Sequence, residues 1–118
     1  MTHAHNSDAM TLSTHVLDAT TGRPAAGVRV LLERRAADGT WAETESASTG
    51  TDGRLRLSGP ISMGVYRITF GSGDYFASRG VSTFYPEVTV TFEVMSETEH
   101  HHVPLLLSPF AYSTYRGS

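Results

Sequence analysis

The residues best suited to chemistry include the four that end this chain. Tyr115-Arg116-Gly117-Ser118 combines an aromatic ring, a cation, a flexible glycine and a hydroxyl beside the terminal carboxylate. Chain ends are normally frayed and carry no function unless contacts hold them in place. Taken alone, these four residues would be interpreted as a solvated tail or as a Gly-Ser remnant of cloning.

Two histidines add side chains that exchange protons near neutral pH. His15 lies in the first strand-like segment and His102 begins a later one. Successive strand residues point to opposite faces, so the choice of core residues decides where the imidazoles lie. The core is assigned to Val16, Val103, Leu105, Leu107 and Tyr112. That choice predicts one shared outer face for His15, His102, Ser113 and Tyr115.

The same outer face is predicted to carry Leu17 and Leu106. Apolar side chains beside polar ones on an outer face are typical of a subunit interface or a ligand groove. The simpler interpretation is that each histidine is an ordinary, hydrogen-bonded strand residue. On the residues alone, both interpretations remain open.

The run His100-His101-His102 invites comparison with a metal site, because His100 and His102 would share one strand face. No acidic or further histidine ligand stands at a fixed spacing from them, so we predict no metal and no cofactor. The chain has no cysteine, which excludes disulfides, thiolate zinc sites and cysteine nucleophiles.

Length and charge narrow the class of protein further. A chain of 118 residues is one domain, and a net charge of −3 provides no basic surface for nucleic acid. Its longest apolar run is far short of the ~20 residues that a membrane span needs. Residues 1–10 lack the basic start and apolar stretch of a secretory signal. We therefore expect a flexible leader over 1–10, one domain over 11–118 and a cytoplasmic location.

The elements that must position the histidines are strands. Short alternating segments separated by turns predict an all-β, antiparallel β-sandwich of seven to eight strands. The predicted strands are 12–17, 28–35, 40–48, 54–57, 65–70, 88–95, 102–107 and 110–115. The segment 74–80 breaks the alternation and predicts one short surface helix, capped by Ser72 or Gly73 and stopped by Gly80.

Three stretches of the chain resemble the transthyretin-related family. They are Leu12-Ser13-Thr14-His15-Val16-Leu17-Asp18, Gly22-Arg23-Pro24-Ala25 and the block from His102 to Ser118. The resemblance runs from about Leu12 to the last residue and implies a transthyretin-like sandwich. Within this family the hormone carriers lack the ending Tyr-Arg-Gly-Ser, whereas the branch of 5-hydroxyisourate hydrolases has it. The resemblance therefore argues against a cloning remnant and implies the enzyme branch.

The resemblance also implies roles for individual residues. The catalytic set would be His15, Arg54, His102 and Ser118. The substrate-binding set would be Tyr115, Arg116 and Gly117. The second catalytic histidine matches His102, directly before Val103-Pro104, rather than His100 or His101. His101 stands where the family often has an aromatic residue.

The implied reaction is hydrolysis of 5-hydroxyisourate to 2-oxo-4-hydroxy-4-carboxy-5-ureidoimidazoline in urate degradation. The implied assembly is a homotetramer, a dimer of dimers, with each site built at a subunit interface. The main alternative is a non-enzymatic carrier that holds a small ligand in a central channel. A β-sandwich scaffold module would explain the fold but not the histidines and arginines, and a carrier needs mainly apolar channel walls.

Overall fold

Two β-sheets packed face to face enclose the hydrophobic core in the computed structural model, which describes residues 11–59, 61–95 and 100–118. The predicted leader over 1–10 lies outside the described residues. No helix in the described ranges is long and apolar enough to cross a membrane. The all-β prediction is confirmed by this arrangement.

Nine strands and one helix form in the described part of the chain. The strands are β1 (Leu12–Asp18), β2 (Arg23–Pro24), β3 (Arg29–Arg35), β4 (Trp41–Ser48), β5 (Arg54–Arg56), β6 (Gly64–Phe70), β7 (Val88–Val94), β8 (His101–Ser108) and β9 (Ala111–Thr114). The first sheet has the order β2-β1-β8-β9, with β5 also paired to β1, and the second has the order β4-β3-β6-β7.

One strand pair departs from the predicted antiparallel arrangement, because β1 and β8 run parallel. A tight hairpin forces neighbouring strands to be antiparallel, whereas parallel strands need a long connection. Nearly the whole domain lies between β1 and β8 along the chain, so no hairpin restricts their direction. Their register aligns Leu12 with His101 and Ser13 with His102.

The core follows the strand alternation that the sequence predicts. In β1 the buried residues alternate with half-buried ones, and Val16 lies inside while His15 lies outside. Leu105 and Leu107 of β8 are buried in the same way. Tyr112 is an exception, since it is 41% exposed although it pairs with the buried Leu107. Its strand, β9, lies at the edge of the sheet, and the ring packs edge-on against Tyr85 at 5.0 Å between centroids.

The helix α1 (Ser72–Ala77) is shorter and begins earlier than predicted. Its N-cap is Gly71, without a side-chain capping bond, rather than Ser72 or Gly73. The helix is also less superficial than expected, because Tyr75 is buried and its hydroxyl donates a 2.8 Å hydrogen bond to the Asp18 carboxylate. Burial, followed by the contact with Asp18, raises the pKa of Tyr75 to about 12. The helix is thereby fastened to the end of β1.

Candidate active site

Two rows of residues cross the outer face of the first sheet. The first row, read across β5, β1, β8 and the chain end, contains Arg56, Ser13, His102 and Gly117. The second row, two residues further along β1, contains Arg54, His15 and Pro104. Neighbouring strands lie about 4.8 Å apart, so side chains in adjacent positions of a row are within reach of one another. The structure thus brings His15, Arg54 and His102 into one patch.

The turn before β5 positions Arg54. Gly53 has φ +75°, and its carbonyl accepts a 2.9 Å hydrogen bond from the Val16 amide of β1. A β-carbon at Gly53 would lie 2.5 Å from the Val16 carbonyl oxygen, so only glycine lets the turn approach β1 this closely. The Arg54 amide donates to the Asp52 carboxylate at 3.0 Å, which fixes the exit of the turn.

The same turn orients His15. Its Nε2 lies 3.1 Å from the Asp52 carbonyl oxygen. A carbonyl only accepts, so Nε2 must carry the proton and Nδ1 is the unprotonated nitrogen of the neutral ring. The Arg54 side chain is 62% exposed, and its Nε is 4.0 Å from an Asp52 carboxylate oxygen. At that distance and exposure the ion pair contributes little stability, and the guanidinium remains turned to solvent.

The chain end is tied to β8. Gly117 donates its amide to the His102 carbonyl at 2.8 Å, and the two residues form an antiparallel bridge. This bridge continues the β8–β9 register after a break at Tyr115 and Arg116. A β-carbon at Gly117 would collide with the His102 ring and would lie 3.1 Å from its Cγ. Gly117 is therefore not part of a solvated tail.

The other residues of the terminal tetrapeptide are not enclosed in the single chain. Tyr115 is 65% exposed, and Arg116 and Ser118 are also exposed. The expected packing of Tyr115 over a substrate therefore lacks its second wall within one chain.

A hydrogen-bonded chain that the sequence did not predict runs behind His102. The Ser13 hydroxyl oxygen lies 2.8 Å from His102 Nδ1 and 2.9 Å from His100 Nε2. The other ring nitrogen of His100 lies 2.5 Å from the Thr11 hydroxyl oxygen. His100 and His102 were expected to share a face, but their contact with Ser13 depends on the parallel β1–β8 register, which no short sequence pattern indicates.

The pKa of His102 is lowered. Burial is the largest cause, followed by the neighbouring His100 and then by His15 and Arg54, while an interaction with the backbone of Ser13 opposes them. The pKa of His100 is lowered as well, first by burial and then by Arg56 and His101. Both imidazoles are therefore neutral at pH 7, and a neutral imidazole can accept a proton.

A cavity of about 320 Å³ opens beside His102. It is lined by residues of β7, β8 and the chain end, namely Val90, Phe92, Glu93, Met95, His101, His102, Val103, Thr114, Tyr115 and Arg116. A cavity of this size holds a small ligand. His15 and Arg54 are not among the residues that line it. Within residues 11–59, 61–95 and 100–118, no three His, Asp or Glu side chains are grouped to hold a metal ion.

His101 differs from its neighbours in pointing inward. It is 7% exposed, and its Nδ1 is buried with no hydrogen-bond partner among the described residues. It pairs with Leu12 in the core-facing register of β1 and β8. The opposite orientation of His101 and His102 follows from strand alternation and agrees with the choice of His102 for the site.

Comparison with known proteins gives one family. Residues 12–117 match the HIUase/Transthyretin family. The chain is 46% identical over 110 residues to the 5-hydroxyisourate hydrolase of Salmonella dublin, an alignment that covers 91% of this chain and 80% of that protein.

Solved structures agree in fold. The 5-hydroxyisourate hydrolase of Klebsiella pneumoniae is 36% identical, with a TM-score of 0.81 over 92% of this chain and 93% of that one. Sea bream transthyretin in complex with thyroxine is 31% identical, with a TM-score of 0.82 over 90% of this chain and 93% of that one. Both a hydrolase and a thyroxine-bound transthyretin therefore share this backbone fold.

Proposed function

Since the chain belongs to the HIUase/Transthyretin family, we propose that it hydrolyses 5-hydroxyisourate, the reaction for which its curated relatives are named. Those relatives come from bacteria, a nematode and the mouse, and they are enzymes at 40–46% identity to this chain. The predicted family and its hydrolase branch are confirmed by them. The product would be 2-oxo-4-hydroxy-4-carboxy-5-ureidoimidazoline.

One observation carries the proposal. Two imidazoles, His15 and His102, stand in adjacent rows of one sheet face, with Arg54 paired across from His15 and the chain end paired across from His102. Ring opening needs a proton acceptor for the attacking water and positive charge for the oxygen that becomes negative. This patch contains both kinds of group.

We assign His102 as the general base. Water loses a proton as it attacks the substrate carbonyl. A neutral imidazole within reach of that water accelerates the reaction by a factor of about 10²–10⁴. His102 is held through Nδ1 by Ser13, which leaves Nε2 for the water. The Nε2–H of His15 is hydrogen-bonded to Asp52, so His15 would orient the water through its unprotonated Nδ1, or take up there the proton released by the water and pass it to the leaving nitrogen. His15 is one of the neighbours that lower the pKa of His102, after burial and His100.

The arginines would stabilise the charge that develops. Arg54 and Arg116 are planar and permanently charged, and they can make paired hydrogen bonds to the oxygens of a lactam or urea group. Ser118 would add a hydroxyl and the terminal carboxylate, which can position water or an arginine. Tyr115 would cover the substrate ring, and Gly117 brings the terminal segment close to His102.

We further propose that the protein works as a homotetramer, a dimer of dimers, with parts of each site from different subunits. Exposed apolar side chains support this, since Leu106 of the first sheet is 45% and Tyr115 of the terminal segment 65% exposed. Large exposed apolar groups on one face mark contact surfaces. The open sides of Tyr115 and Arg116 would be closed by a neighbouring subunit. A cytoplasmic location remains a prediction.

The carrier function is favoured by one observation, the similarity in fold to the thyroxine-bound sea bream protein. Against it stands the polarity of the site patch, where two histidines and Arg54 replace the apolar walls that a carrier needs.

A kinetic assay separates the two functions. Urate oxidase generates 5-hydroxyisourate in the cuvette, and its absorbance decay is followed with and without the purified protein. A hydrolase accelerates the decay at substoichiometric concentration, in proportion to the protein added. A decay rate equal to the spontaneous one, with ligand retained by the protein, would instead identify a carrier.

A further inference from the structure

We propose that Ser13 and His100 are positioning residues that hold His102 in its Nδ1–H tautomer, with Nε2 unprotonated. The inference rests on the proposed function, since it concerns the general base of that reaction. Neither residue belongs to the set that the family resemblance implies.

The number of protons available to Ser13 sets the constraint. Its hydroxyl oxygen is within hydrogen-bond distance of two imidazole nitrogens, His102 Nδ1 at 2.8 Å and His100 Nε2 at 2.9 Å. A hydroxyl has one proton to donate and two lone pairs that accept. Among the described residues the two rings are the hydrogen-bond partners of this hydroxyl, so its proton is used within the protein only if Ser13 donates to one ring and accepts from the other.

Two arrangements of the neutral rings satisfy this condition. In the first, His102 donates from Nδ1 to Ser13, Ser13 donates to His100 Nε2, and His100 donates from Nδ1 to Thr11. In the second, every proton points the other way, from the Thr11 hydroxyl towards His102. The two rings therefore share one tautomer, either Nδ1–H in both or Nε2–H in both.

Only the first arrangement leaves His102 with an unprotonated nitrogen that can accept a proton from water. Its Nδ1 faces Ser13 on β1, so Nε2 is the nitrogen left for water. In the second arrangement Nε2 already carries a proton and cannot take another from water. A base at His102 therefore requires its Nδ1–H form, and with the Ser13 proton donated to His100 both rings take that form. This form is the opposite of the Nε2–H form that an unconstrained imidazole prefers in water.

Thr11, at the other end of the hydrogen-bonded network, can accept the Nδ1 proton of His100. The Thr11 hydroxyl oxygen lies 2.5 Å from His100 Nδ1 and also receives a 3.3 Å hydrogen bond from the Arg56 guanidinium. An oxygen with two lone pairs accommodates both donors. The hydrogen-bonded network thus begins at Thr11, beside the permanent charge of Arg56, and passes through His100 and Ser13 to His102 in the site.

The tautomers can be read directly by nitrogen NMR. In protein labelled with ¹⁵N-histidine at pH 7.5 and without substrate, His100 and His102 should both show a protonated Nδ1 and an unprotonated Nε2. Resonances are assigned with His100→Gln and His102→Gln. Ser13→Ala should return His102 to the Nε2–H form, while Ser13→Thr, which keeps the hydroxyl, should retain Nδ1–H. An Nε2–H form of His102 in the wild type, or no change in Ser13→Ala, would overturn the proposal.

Kinetics supply the second readout. Ser13→Ala should lower kcat about tenfold or more, within the usual cost of removing an orienting partner, with KM unchanged and with recovery in Ser13→Thr. Thr69→Val is the matched control, because it removes a hydroxyl from an exposed 3.1 Å pair with Thr89 on the other sheet. It should leave kcat unchanged. Full activity in Ser13→Ala would refute the positioning role, whereas the absence of hydrolysis in the wild type would refute the proposed function and leave the tautomer result standing.

Discussion

At the scale of single residues, the central feature is the His102 imidazole, which lies near two other imidazoles and an arginine. Burial, and then His100, His15 and Arg54, lower the pKa of His102. The same environment that hinders protonation keeps the ring available as a base below its ordinary pKa of 6.5. Function and electrostatics are therefore linked at one side chain.

This environment predicts a pH dependence of both activity and stability. The acid limb of kcat/KM should lie below pH 6.5, because the lowered pKa of His102 shifts its protonation to below that pH. Histidines in the unfolded chain titrate near pH 6.5. Between that pH and the lowered pKa of the folded state, the unfolded chain therefore binds more protons than the folded one. The free energy of unfolding should fall as the pH drops through this window. Thermal melts from pH 8 to 5 would measure it.

His102→Gln is the comparison for this prediction, since it removes the titrating ring. Its melting temperature should depend less on pH over the same window. A wild-type melting temperature that rises as the pH falls from 6.5 would contradict the lowered pKa values of His100 and His102.

Residue types alone indicated part of the site. Strand alternation placed His15 and His102 outside the core and His101 opposite to His102, as the structure has them. Ser13 and His100 were missed, because their partnership is set by which strands are neighbours and in which register. Tyr112 was wrongly assigned to the core, since alternation gives the face of a residue but not the extent of the opposing sheet.

At the scale of elements, β1 organises the patch by pairing on both edges. It pairs with β5 over Ser13–His15 and with β8 over its whole length. Alternation and turn residues could predict the strands themselves. The parallel partnership of β1 and β8 joins the two ends of the domain, and local patterns contain no information about it.

The terminal segment is the second element that shapes the site, and Gly117 is its closest point to His102. Gly117→Ala should displace the ring or detach the segment, because the added methyl group collides with the imidazole. A displacement of about 1 Å can cost about 100-fold in rate, so we expect kcat to fall by about that factor with little change in melting temperature.

Gly59→Ala is the matched control for this substitution, because a β-carbon there meets nothing within 4 Å. It should keep full activity. A Gly117→Ala protein with wild-type turnover would mean that the terminal segment does not set the position of His102.

At the scale of the whole molecule, the single chain leaves the site open. Tyr115 is 65% exposed, and Leu106 projects from the same sheet at 45% exposure. Burial of these groups by neighbouring subunits would both stabilise an assembly and close the site. The fold and the polarity of the outer face could be predicted from the sequence. Contacts between subunits could not, because no pattern within one chain indicates which surfaces of two subunits meet.

Assembly can be tested by placing a charge on this face. Leu106→Glu should shift the protein from a tetramer to smaller species in sedimentation velocity, because an unpaired carboxylate is costly to bury, and turnover should fall with it. Leu31→Glu, on the outer face of the other sheet, should leave both unchanged. A wild-type protein that sediments as a monomer while turning over at full rate would contradict the shared site.

The most direct test of the account is the decay of 5-hydroxyisourate catalysed by the wild type, His15→Ala and His102→Ala, measured alongside their melting temperatures. We expect each substitution to lower kcat by a factor of about 10²–10⁴ and each variant to melt at nearly the wild-type temperature, since both rings lie outside the core. Near-wild-type turnover in His102→Ala would contradict it.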